Sequence, residues 1–513
     1  MSIFSGLRET TTVADTHTTE THAAGSDKTM LRIGKTAFLL AFFILLGLMV
    51  VSGTLTHLVP SGSFDRMQED GREVVIPGSY TATDVPPAPV WRWFTAPVEV
   101  LFAEGNVVVL TIIVFLLFVG GAFAILEAAG VLKALIEIIV VRFQSRRYLL
   151  LAIIVFFFMA VASVLGVYEA MVPLIVLIVP LAHRLGWDSL TGLGMSLLPL
   201  AFGFSAAITN PFTIGVAQRI AELPLFSGAW LRIIFFLLVY AGVLTFVTLH
   251  ARKVERTPSR SLVYDEDVAL REREGLTAVP RAAGVSPAAV TDPATVRALR
   301  WFAVVMGVAF AFIFATARTP GLSDLAFPVM ALLFLVGGMG SGLISGIGGR
   351  RVVAAFGRGA AAILPGVLLI LMSLSVRYIV DLGGITDTIL YRATRSIGET
   401  GPFASALLIY LVTLGMNFFV GSASAKAFLM MPILAPLADL AGVTRQTAVL
   451  AFDFGDGFSN MIYPSNALLL IGLSFTVVSY PRWIRWTIPL QVFALVLSVA
   501  FLGIAVAVGY GPF

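Results

Sequence analysis

Apolar runs long enough to cross a bilayer follow one another along most of the chain. A helix needs about 20 predominantly apolar residues to span the hydrocarbon core. Runs of this kind predict single membrane spans at 36–58, 106–127, 230–250, 299–317, 325–347, 360–381 and 484–509. The stretches 131–143 and 386–398 are too short to span, and we expect them to lie along the membrane surface. The pattern therefore predicts an all-α polytopic membrane protein.

Two apolar segments are predicted to be hairpins. Residues 149–182 and 403–438 each consist of two apolar arms around a short polar turn, "GVYEA" in the first and "GSASAK" in the second. Basic residues flank both outer ends of the first hairpin, so both ends face the cytoplasm. Its second arm is short, which favours a re-entrant hairpin over a full crossing.

Two longer segments, 189–222 and 446–480, are interrupted in the middle. The first contains Thr209-Asn210-Pro211 and the second contains "YPSN" at 463–466. Proline removes a backbone donor and disfavours a helical conformation in the residue before it. We therefore predict two broken helices.

The two halves of the chain match at a common offset of 256 residues. This shift superposes Pro180 on Pro436, Gly186 on Gly442, Asn210 on Asn466 and Trp230 on Trp486. The order of elements also agrees, and the two hairpins are predicted to open toward opposite sides of the membrane. The sequence thus predicts two inverted-topology repeats. Paired broken helices in such repeats indicate a substrate site near the bilayer midplane.

Charge placement orients the chain. Arg32 and Lys35 precede the first span, which predicts a cytoplasmic N-terminus. We divide the chain into a cytoplasmic polar tail at 1–36, a first membrane repeat at 37–250, a cytoplasmic linker at 251–298 and a second membrane repeat at 299–513. The membrane is expected to be the inner, cytoplasmic membrane of the cell.

Composition narrows the functional classes. Hydrophobic residues make up 58% of the chain and charged residues only 12%, so the net charge of +4 indicates basic cytoplasmic loops and not nucleic-acid binding. The chain contains no cysteine, which excludes disulfides and thiol nucleophiles. The sequence carries no nucleotide-binding glycine loop, metal-ligand cluster or Ser-His-Asp set, so we expect a carrier and not an enzyme. A channel is the other alternative, although it would not need two opposed hairpins.

Polar residues at the hairpin tips and helix breaks are the candidate site. Side chains of this kind are costly at membrane depth and usually functional. The candidates for substrate binding are Tyr168, Glu169, Thr209, Asn210, Ser422, Ser424, Lys426, Asp456, Ser465 and Asn466. The candidates for the coupling ion, a proton or Na⁺, are Glu169, Asn210, Asp456 and Asn466. No other cofactor is expected.

Some of these residues admit a second interpretation. Lys426 could neutralise a substrate carboxylate, or pair with Asp439 or with Glu169. Asp453 could belong to the site or face an extracellular vestibule. Arg377 and Asp381, spaced i and i+4, are predicted to form a structural pair.

Three stretches resemble a known family. They are "PSGSFDR" at 60–66, "GREVVIPGSY" at 71–80 and "GSASAKAFLMMPILAPLADLAGVTRQTAVLAFDFGDGFSNMIYPSN" at 421–466. The chain resembles the DcuC/YfcC family, which comprises C4-dicarboxylate carriers and proteins provisionally named basic amino acid antiporters. The resemblance implies the fold of the ion transporter superfamily, with a scaffold domain, an elevator-like transport domain and a homodimer. In that superfamily, hairpin tips and helix breaks hold the substrate and the coupling ion.

The expected substrate follows from charge balance. Glu169, Asp456 and Lys426 provide both signs of charge, which suits a zwitterion better than a dianion. We therefore expect a carrier for a small carboxylate-bearing metabolite, preferably an amino acid and basic ones in particular. A C4-dicarboxylate or a short peptide is the alternative. Well-studied sodium-coupled members carry Ser-Asn-Thr at both tips, where this chain has Tyr168-Glu169-Ala170 and Ser422-Ala423-Ser424, so proton and sodium coupling both stay open.

Overall fold

A computed structural model describes residues 35–69, 72–103, 106–166, 168, 171, 174–274, 292–316, 325–395, 397 and 400–511. The predicted cytoplasmic tail, 1–36, lies outside the described residues except for its last two positions. Glu169, at the first hairpin tip, also lies outside the described residues.

The described residues are mostly helical. The helices before residue 275 are α1 (Lys35–Leu58), α2 (Val90–Glu99), α3 (Asn106–Ala128), α4 (Val131–Phe143), α5 (Arg147–Leu165), α6 (Ile175–Arg184), α7 (Ser189–Met195), α8 (Leu197–Ser205), α9 (Val216–Ile220), α10 (Ala229–Arg256) and α11 (Tyr264–Glu274). Those after residue 291 are α12 (Pro293–Thr316), α13 (Ala326–Ile344), α14 (Gly349–Leu382), α15 (Thr386–Thr394), α16 (Pro402–Met416), α17 (Ala423–Leu440), α18 (Arg445–Gly457), α19 (Ala467–Ser474) and α20 (Tyr480–Ala507).

Eight helices in the described part of the chain are long and apolar enough to cross a membrane: α1, α3, α5, α10, α12, α14, α17 and α20. The prediction of a polytopic helical membrane protein is thereby confirmed. Helix α14 begins at Gly349, well before the predicted start at residue 360. Its first turns contain Arg350 and Arg351 and extend the span beyond its apolar part.

The loop between α1 and α2 contains short strands that the sequence analysis did not predict. Strands β1 (Gly62–Ser63) and β4 (Thr81–Ala82) pair antiparallel, as do β2 (Arg66–Glu69) and β3 (Arg72–Val75). Runs of two to four residues are too short to show the alternation by which strands are recognised. Strand β3 packs against α17, so the loop covers one end of the second hairpin.

Five long helices form one packed group, which we name the long-helix bundle: α1, α3, α12, α13 and α14. Helix α3 lies against α13 and α14, and α1 lies against α14. At Gly359 the α14 backbone comes so close to α3 that a Cβ would overlap the Gly120 carbonyl oxygen. Small residues of this kind allow membrane helices to approach closely and to gain dispersion contacts.

The two hairpins, the two broken helices and the spans that follow them form the second group, which we name the hairpin bundle: α5 to α10 and α16 to α20. Its two halves have equivalent internal contacts. Helix α5 packs on α8 as α16 packs on α18, and α10 and α20 each follow the broken helix of their own half. Helix α8 also contacts α18, and α10 contacts α20, so equivalent elements meet each other between the halves.

The turn after each hairpin has the same geometry at the offset of 256 residues. Gly186 and Gly442 both adopt positive φ, at 88° and 69°, where glycine carries no Cβ penalty. The following amides, of Trp187 and Val443, donate to carbonyls five residues back at 2.9 Å and 2.8 Å. These contacts close each helix in the Schellman manner.

The next helices start alike as well. The Asp188 side chain accepts from the Thr191 amide, and the Thr444 hydroxyl accepts from the Thr447 amide. The matched caps mark where each broken helix begins.

The segment 251–298 is more ordered at its start than a polar linker would be. Helix α10 continues to Arg256, and α11 folds back onto the start of α7. Asp267 of α11 is buried and accepts from the Ser189 amide at 2.8 Å and the Ser189 hydroxyl at 2.5 Å. Helix α11 has no apolar face from which the sequence could predict this contact. The hydrogen bonds between Asp267 and Ser189 show it in the structure.

Asp188 joins this cluster to the start of α7. Its carboxylate accepts from Thr191 at 2.8 Å and from Ser261 at 2.6 Å, and lies 3.0 Å from His250 Nε2. Burial by itself would raise the pKa of Asp188, but the His250 contact and the hydroxyl donors outweigh it and lower the pKa below its ordinary value.

We expect Asp188→Asn to lower the melting temperature, because weakening the buried hydrogen bonds that the carboxylate accepts from Thr191 and Ser261 typically costs about 1–3 kcal/mol. A depressed folded-state pKa contributes stability that is present above the unfolded value of about 3.9 and is lost as pH falls through the folded value. The deficit should therefore persist from neutral to mildly acidic pH and vanish only in strong acid. Thermal unfolding in detergent measures it, with exposed Asp265→Asn as control. Equal melting temperatures for the two variants would contradict the prediction.

Candidate substrate site

The first hairpin tip lies directly against the first helix break. Gly166 ends α5 with a φ of 68°, and a Cβ at this position would overlap the Asn210 side-chain oxygen. The break spans residues 206–210, between α8 and a single π-helical turn at Pro211–Gly215. Such π turns recur at functional sites. Only glycine allows the tip and the break to touch here.

The second tip lies against the second break and also contacts the first. Asn417, at the end of α16, donates to the Asp456 carbonyl at 2.8 Å. Ser424, in the first turn of α17, donates to the Phe212 carbonyl in the first break at 3.1 Å. Where α8 crosses α18, a Cβ on Gly457 would overlap the Ser205 hydroxyl. Both breaks and both tips therefore meet in the centre of the hairpin bundle.

Asn210 and Asn466 perform the same structural task in the two breaks. Asn210 Oδ1 accepts from the amides of Phe212 and Thr213 at 2.8 Å and 3.3 Å. Asn466 Oδ1 accepts from the amides two and three residues later at 2.9 Å and 3.3 Å. Each asparagine thus caps the helix that restarts after the break. The nitrogens differ: Asn466 Nδ2 donates to Asn460 at 2.8 Å, whereas buried Asn210 Nδ2 has no partner among the described residues.

Backbone groups released by the first break are satisfied from two directions. The amides of Ile208 and Thr209 donate to the Ser163 carbonyl at 3.0 Å and 3.2 Å. The Ile208 carbonyl accepts from Arg232 Nε at 3.2 Å and Nη2 at 3.1 Å. Arg232 is 2% exposed, and its Nη1 donates to the Tyr510 hydroxyl at 3.2 Å. The sequence analysis missed Arg232, although an arginine inside an apolar span was an available signal.

The second break is attached to the long-helix bundle. The Ser465 carbonyl accepts from the Ser373 hydroxyl of α14 at 2.6 Å. In the first break, the Thr209 hydroxyl donates to the Val164 carbonyl of α5 at 3.1 Å. The side chains of Thr209 and Ser465 are both half-buried. A hydroxyl thus links each break to a neighbouring helix: that of Thr209 within the first break, and that of Ser373 on α14 for the second.

Lys426 and Asp456 form a buried ion pair between α17 and α18. The Lys426 ammonium donates to Asp456 Oδ1 and to Asn417 Oδ1, and both charged residues are at most 1% exposed. The alternative pairing of Lys426 with Asp439 is wrong, because Asp439 lies 2.9 Å from Arg445 on the surface of the bundle. Lys426 is thus neutralised inside the bundle and does not line the cavity described below.

A network of amides and a hydroxyl surrounds this ion pair, and the sequence analysis did not single it out. Asn417 Nδ2 donates to Ser459 Oγ at 2.6 Å and to Asn460 Oδ1 at 3.0 Å. Asn460 Oδ1 in turn accepts from Asn466. The network connects the second tip, the ion pair and the second break into one unit. Asn417 interrupts an apolar helix, which was a usable signal, but its partners lie about 40 residues away.

A cavity of about 630 Å³ lies beside the second tip, between the hairpin bundle and the end of α14. Ser422, Ser424 and Phe212 contribute to its wall from the bundle side. The other lining residues are Arg66, Val75, Arg377, Asp381, Thr386, Asp387, Val420, Ala425, Phe428 and Leu429. Ser422 caps the first turn of α17, so the positive end of that helix dipole faces the cavity.

Two ion pairs stand in the cavity wall. Arg377 lies 3.2 Å from Asp381, which confirms the predicted i,i+4 pair, and Arg66 of β2 lies 2.8 Å from Asp387 of α15. The wall therefore carries two guanidinium and two carboxylate groups. If an arginine and an aspartate of the wall separated, each could pair with the opposite charge of a bound ligand. A ligand with both signs of charge could then bind without leaving an isolated charge.

The remaining predicted residues have diverse positions. Tyr168 is buried, with its ring centroid 5.9 Å from that of Phe204. Asp453 is 1% exposed, so the interpretation as a vestibule residue is wrong.

Among the described residues, no three acidic or histidine side chains cluster in a way that could hold a metal ion.

Comparison with known proteins identifies the family. The family model for the C4-dicarboxylate anaerobic carrier, DcuC, matches residues 37–507. The chain belongs to the DcuC family. The family resemblance found in the sequence is thereby confirmed, and the membership makes the protein a membrane transporter.

Two relatives share about three-quarters of the chain. YfcC of Escherichia coli (strain K12), provisionally named a basic amino acid antiporter, is 30% identical over 379 residues, which are 73% of this chain and 73% of that protein. An uncharacterized protein of Haemophilus influenzae is 24% identical over 389 residues, 75% of this chain and 74% of its own.

Two solved structures are similar in outline. The YdaH transporter of Alcanivorax borkumensis has a TM-score of 0.40 and 19% identity, over 93% of this chain and all of that one. MtrF of Neisseria gonorrhoeae, described as illuminating a class of antimetabolite efflux pumps, has a TM-score of 0.40 and 19% identity, over 91% of this chain and 94% of that one.

The two substitutions Asn210→Ser and Asn210→Ala should separate capping from binding. Serine keeps an oxygen that can accept from the Phe212 and Thr213 amides and adds no charge to this buried position, so we expect a melting temperature close to wild type, whereas alanine should cost about 1 kcal/mol. If the Nδ2 group contacts substrate, both variants lose it, and affinity should fall roughly 5- to 150-fold, equivalent to about 1–3 kcal/mol. Ligand titration by calorimetry measures this. Full affinity in the serine variant would leave Asn210 a purely structural cap.

Proposed function

We propose that this protein is a secondary active transporter that moves a small carboxylate-bearing metabolite across the cytoplasmic membrane by ion coupling or exchange. An amino acid, and a basic one in particular, is the preferred substrate. The observation that carries this proposal is the cavity beside the second hairpin tip, whose wall contains two arginines and two aspartates in pairs.

The cavity suits a zwitterion. A substrate carboxylate can occupy the first turn of α17, where the hydroxyls of Ser422 and Ser424 and the helix dipole favour an anion. Its amine can take the place of a guanidinium beside Asp381 or Asp387. A second amine on a basic side chain would find the other carboxylate. Binding in this way exchanges one set of charge pairs for another and avoids the cost of unpaired charge.

A C4-dicarboxylate is the alternative substrate, since it is the cargo that the family description names. Two carboxylates would need Arg66 and Arg377 to leave their aspartate partners at the same time. A short peptide is compatible with the cavity volume of about 630 Å³. The zwitterion is preferred because its amine gives an aspartate a new partner, whereas a dianion would leave both Asp381 and Asp387 without a partner.

The equivalent caps and contacts of the two halves support the proposed inverted repeats. We infer that the long-helix bundle is the scaffold and that the hairpin bundle moves against it in an elevator-like manner, in a homodimer. The Ser373 contact to the second break would then exchange during transport. Tyr168, Glu169, Thr209, Asn210, Ser465 and Asn466 stay proposed site residues, whereas Lys426 and Asp456 would act by positioning the second tip.

Counterflow tests the transport proposal directly. Proteoliposomes preloaded with unlabelled lysine should accumulate labelled lysine transiently, whereas a channel would only let the label equilibrate. Parallel vesicles preloaded with succinate or a dipeptide decide among the substrate classes. Asp381→Asn should reduce lysine counterflow at least about tenfold, because it removes a carboxylate that the proposal pairs with a substrate amine. Asp439→Asn, on the surface of the bundle and away from the cavity, is the matched control. Succinate counterflow without lysine counterflow would reverse the substrate preference.

Orientation can be tested with single cysteines, because the chain has none of its own. We expect Ser259→Cys, exposed in the turn after α10, to be labelled by an impermeant maleimide only after cells are opened. A cysteine at Val85, exposed in the loop between α1 and α2, should be labelled from outside. The reverse pattern would overturn the proposed cytoplasmic N-terminus.

A further inference from the structure

Asp453 is a buried carboxylate that the substrate site does not use. It lies on α18, one turn before Asp456, and is 1% exposed. Both of its carboxylate oxygens lack a hydrogen-bond partner among the described residues. A buried unpaired carboxylate is unusual, because desolvation penalises the charge and no donor repays it. A group of this kind calls for an explanation in terms of function.

The surroundings of Asp453 belong largely to the first helix break. The Thr213 hydroxyl, in the π-helical turn, and the Ala207 backbone amide lie near the carboxylate without completing a hydrogen bond to it. Thr213 Oγ1 is itself fully buried and unpartnered in the described part of the protein. Two unpartnered polar side chains from different helices thus face each other across the contact between α18 and the break.

The charged and titratable groups around Asp453 act in opposite directions. Asp456 on the same helix disfavours a second negative charge, although its own charge is bonded to Lys426 of α17. Arg232 of α10 attracts the Asp453 carboxylate, but its hydrogen bonds go to Ile208, Phe226 and Tyr510. The Tyr510 phenol also interacts with Asp453. Asp453 therefore lies between a negative charge on its own helix and a positive charge on α10.

We propose that Asp453, together with Thr213, is a proton-binding site that couples proton movement to the transport of substrate. The inference rests on the proposed carrier function. A hydroxyl can donate to the ionised carboxylate and accept from the protonated one, so Thr213 serves both states. The groups that face Asp453 are mostly donors: an amide, a hydroxyl and a guanidinium. Na⁺ needs several acceptor oxygens, so the surroundings suit a proton better than a sodium ion.

The first break connects this site with the cavity. Phe212 lines the cavity and its carbonyl binds Ser424, while its neighbour Thr213 faces Asp453. Arg232 holds the same break through the Ile208 carbonyl. Any shift of the π-helical turn that accompanies substrate binding therefore changes the contacts of Asp453. Substrate binding and proton binding would then both depend on the position of this turn, and each would change the affinity for the other.

The test begins with a readout that needs no substrate. Infrared spectra of the full chain in lipid, titrated from mildly acidic to mildly alkaline pH, should show the carbonyl stretch of a buried protonated carboxylic acid, which disappears on ionisation. Asp453→Asn should lack this band, whereas Glu169→Gln and exposed Asp439→Asn should retain it. Thr213→Val should keep the band but shift its frequency and titration midpoint. A band that persists in Asp453→Asn, or is lost in Glu169→Gln instead, overturns the inference.

Transport supplies the second arm. In proteoliposomes, a gradient of one pH unit can support up to about tenfold accumulation for one coupled proton, and we expect this in wild type. Asp453→Asn should fall to about onefold while keeping counterflow, and a sodium gradient should have no effect on either protein. Wild type without counterflow would refute the carrier proposal itself. Wild type with counterflow, and an Asp453→Asn variant that still accumulates substrate with pH, would refute only the proton site. If Asp453→Asn does not fold, the infrared band in Thr213→Val tests the proton site. An unchanged frequency and titration midpoint in that variant would refute it.

Discussion

Backbone groups released inside a membrane must be satisfied by the protein, because the hydrocarbon offers no water to do so. The structure is organised around this constraint. Each helix break leaves amides and carbonyls without helical hydrogen bonds. In both breaks an asparagine caps the helix that restarts, and a neighbouring helix binds other backbone groups. Asn210 and Asn466 supply the caps, while Ser163, Arg232 and Ser373 bind the groups that remain. Without these partners the chain could not be broken at this depth.

The same constraint explains why charge is concentrated there. Arg232 binds two carbonyls of the first break and its surroundings, and Lys426 is bonded to Asp456 and Asn417 beside the second. Buried charges of this kind are expensive unless paired. They hold the irregular backbone in place, while the nearby Asp453 is buried without a hydrogen-bond partner among the described residues. Irregular backbone, buried charge and the proposed ion coupling are therefore parts of one arrangement.

The cavity shows how the two bundles share the proposed work. Phe212, Ser422 and Ser424 come from the hairpin bundle, while Arg377 and Asp381 come from the end of α14. A substrate in this position would contact elements on both sides of the boundary. Its affinity would then depend on the relative position of the bundles, which is what alternating access requires. The cluster around Asp188 and Asp267, in contrast, fastens the start of the linker to the helices nearby and has no contact with the cavity.

The sequence by itself determined the features that depend on neighbouring residues. Apolar length predicted the spans, Pro211 and Pro464 located the breaks, and the i,i+4 spacing predicted the Arg377–Asp381 pair, because helix length, chain stiffness and helical neighbours are local properties. Only the tertiary structure decided which distant groups meet. Lys426 bonds to Asp456, which was not among the partners expected for it. Asp453 lies near Thr213, and Asp267 of α11 bonds to Ser189 across 78 residues of chain. Such pairings are set by how helices cross, and many different crossings satisfy one hydrophobic pattern.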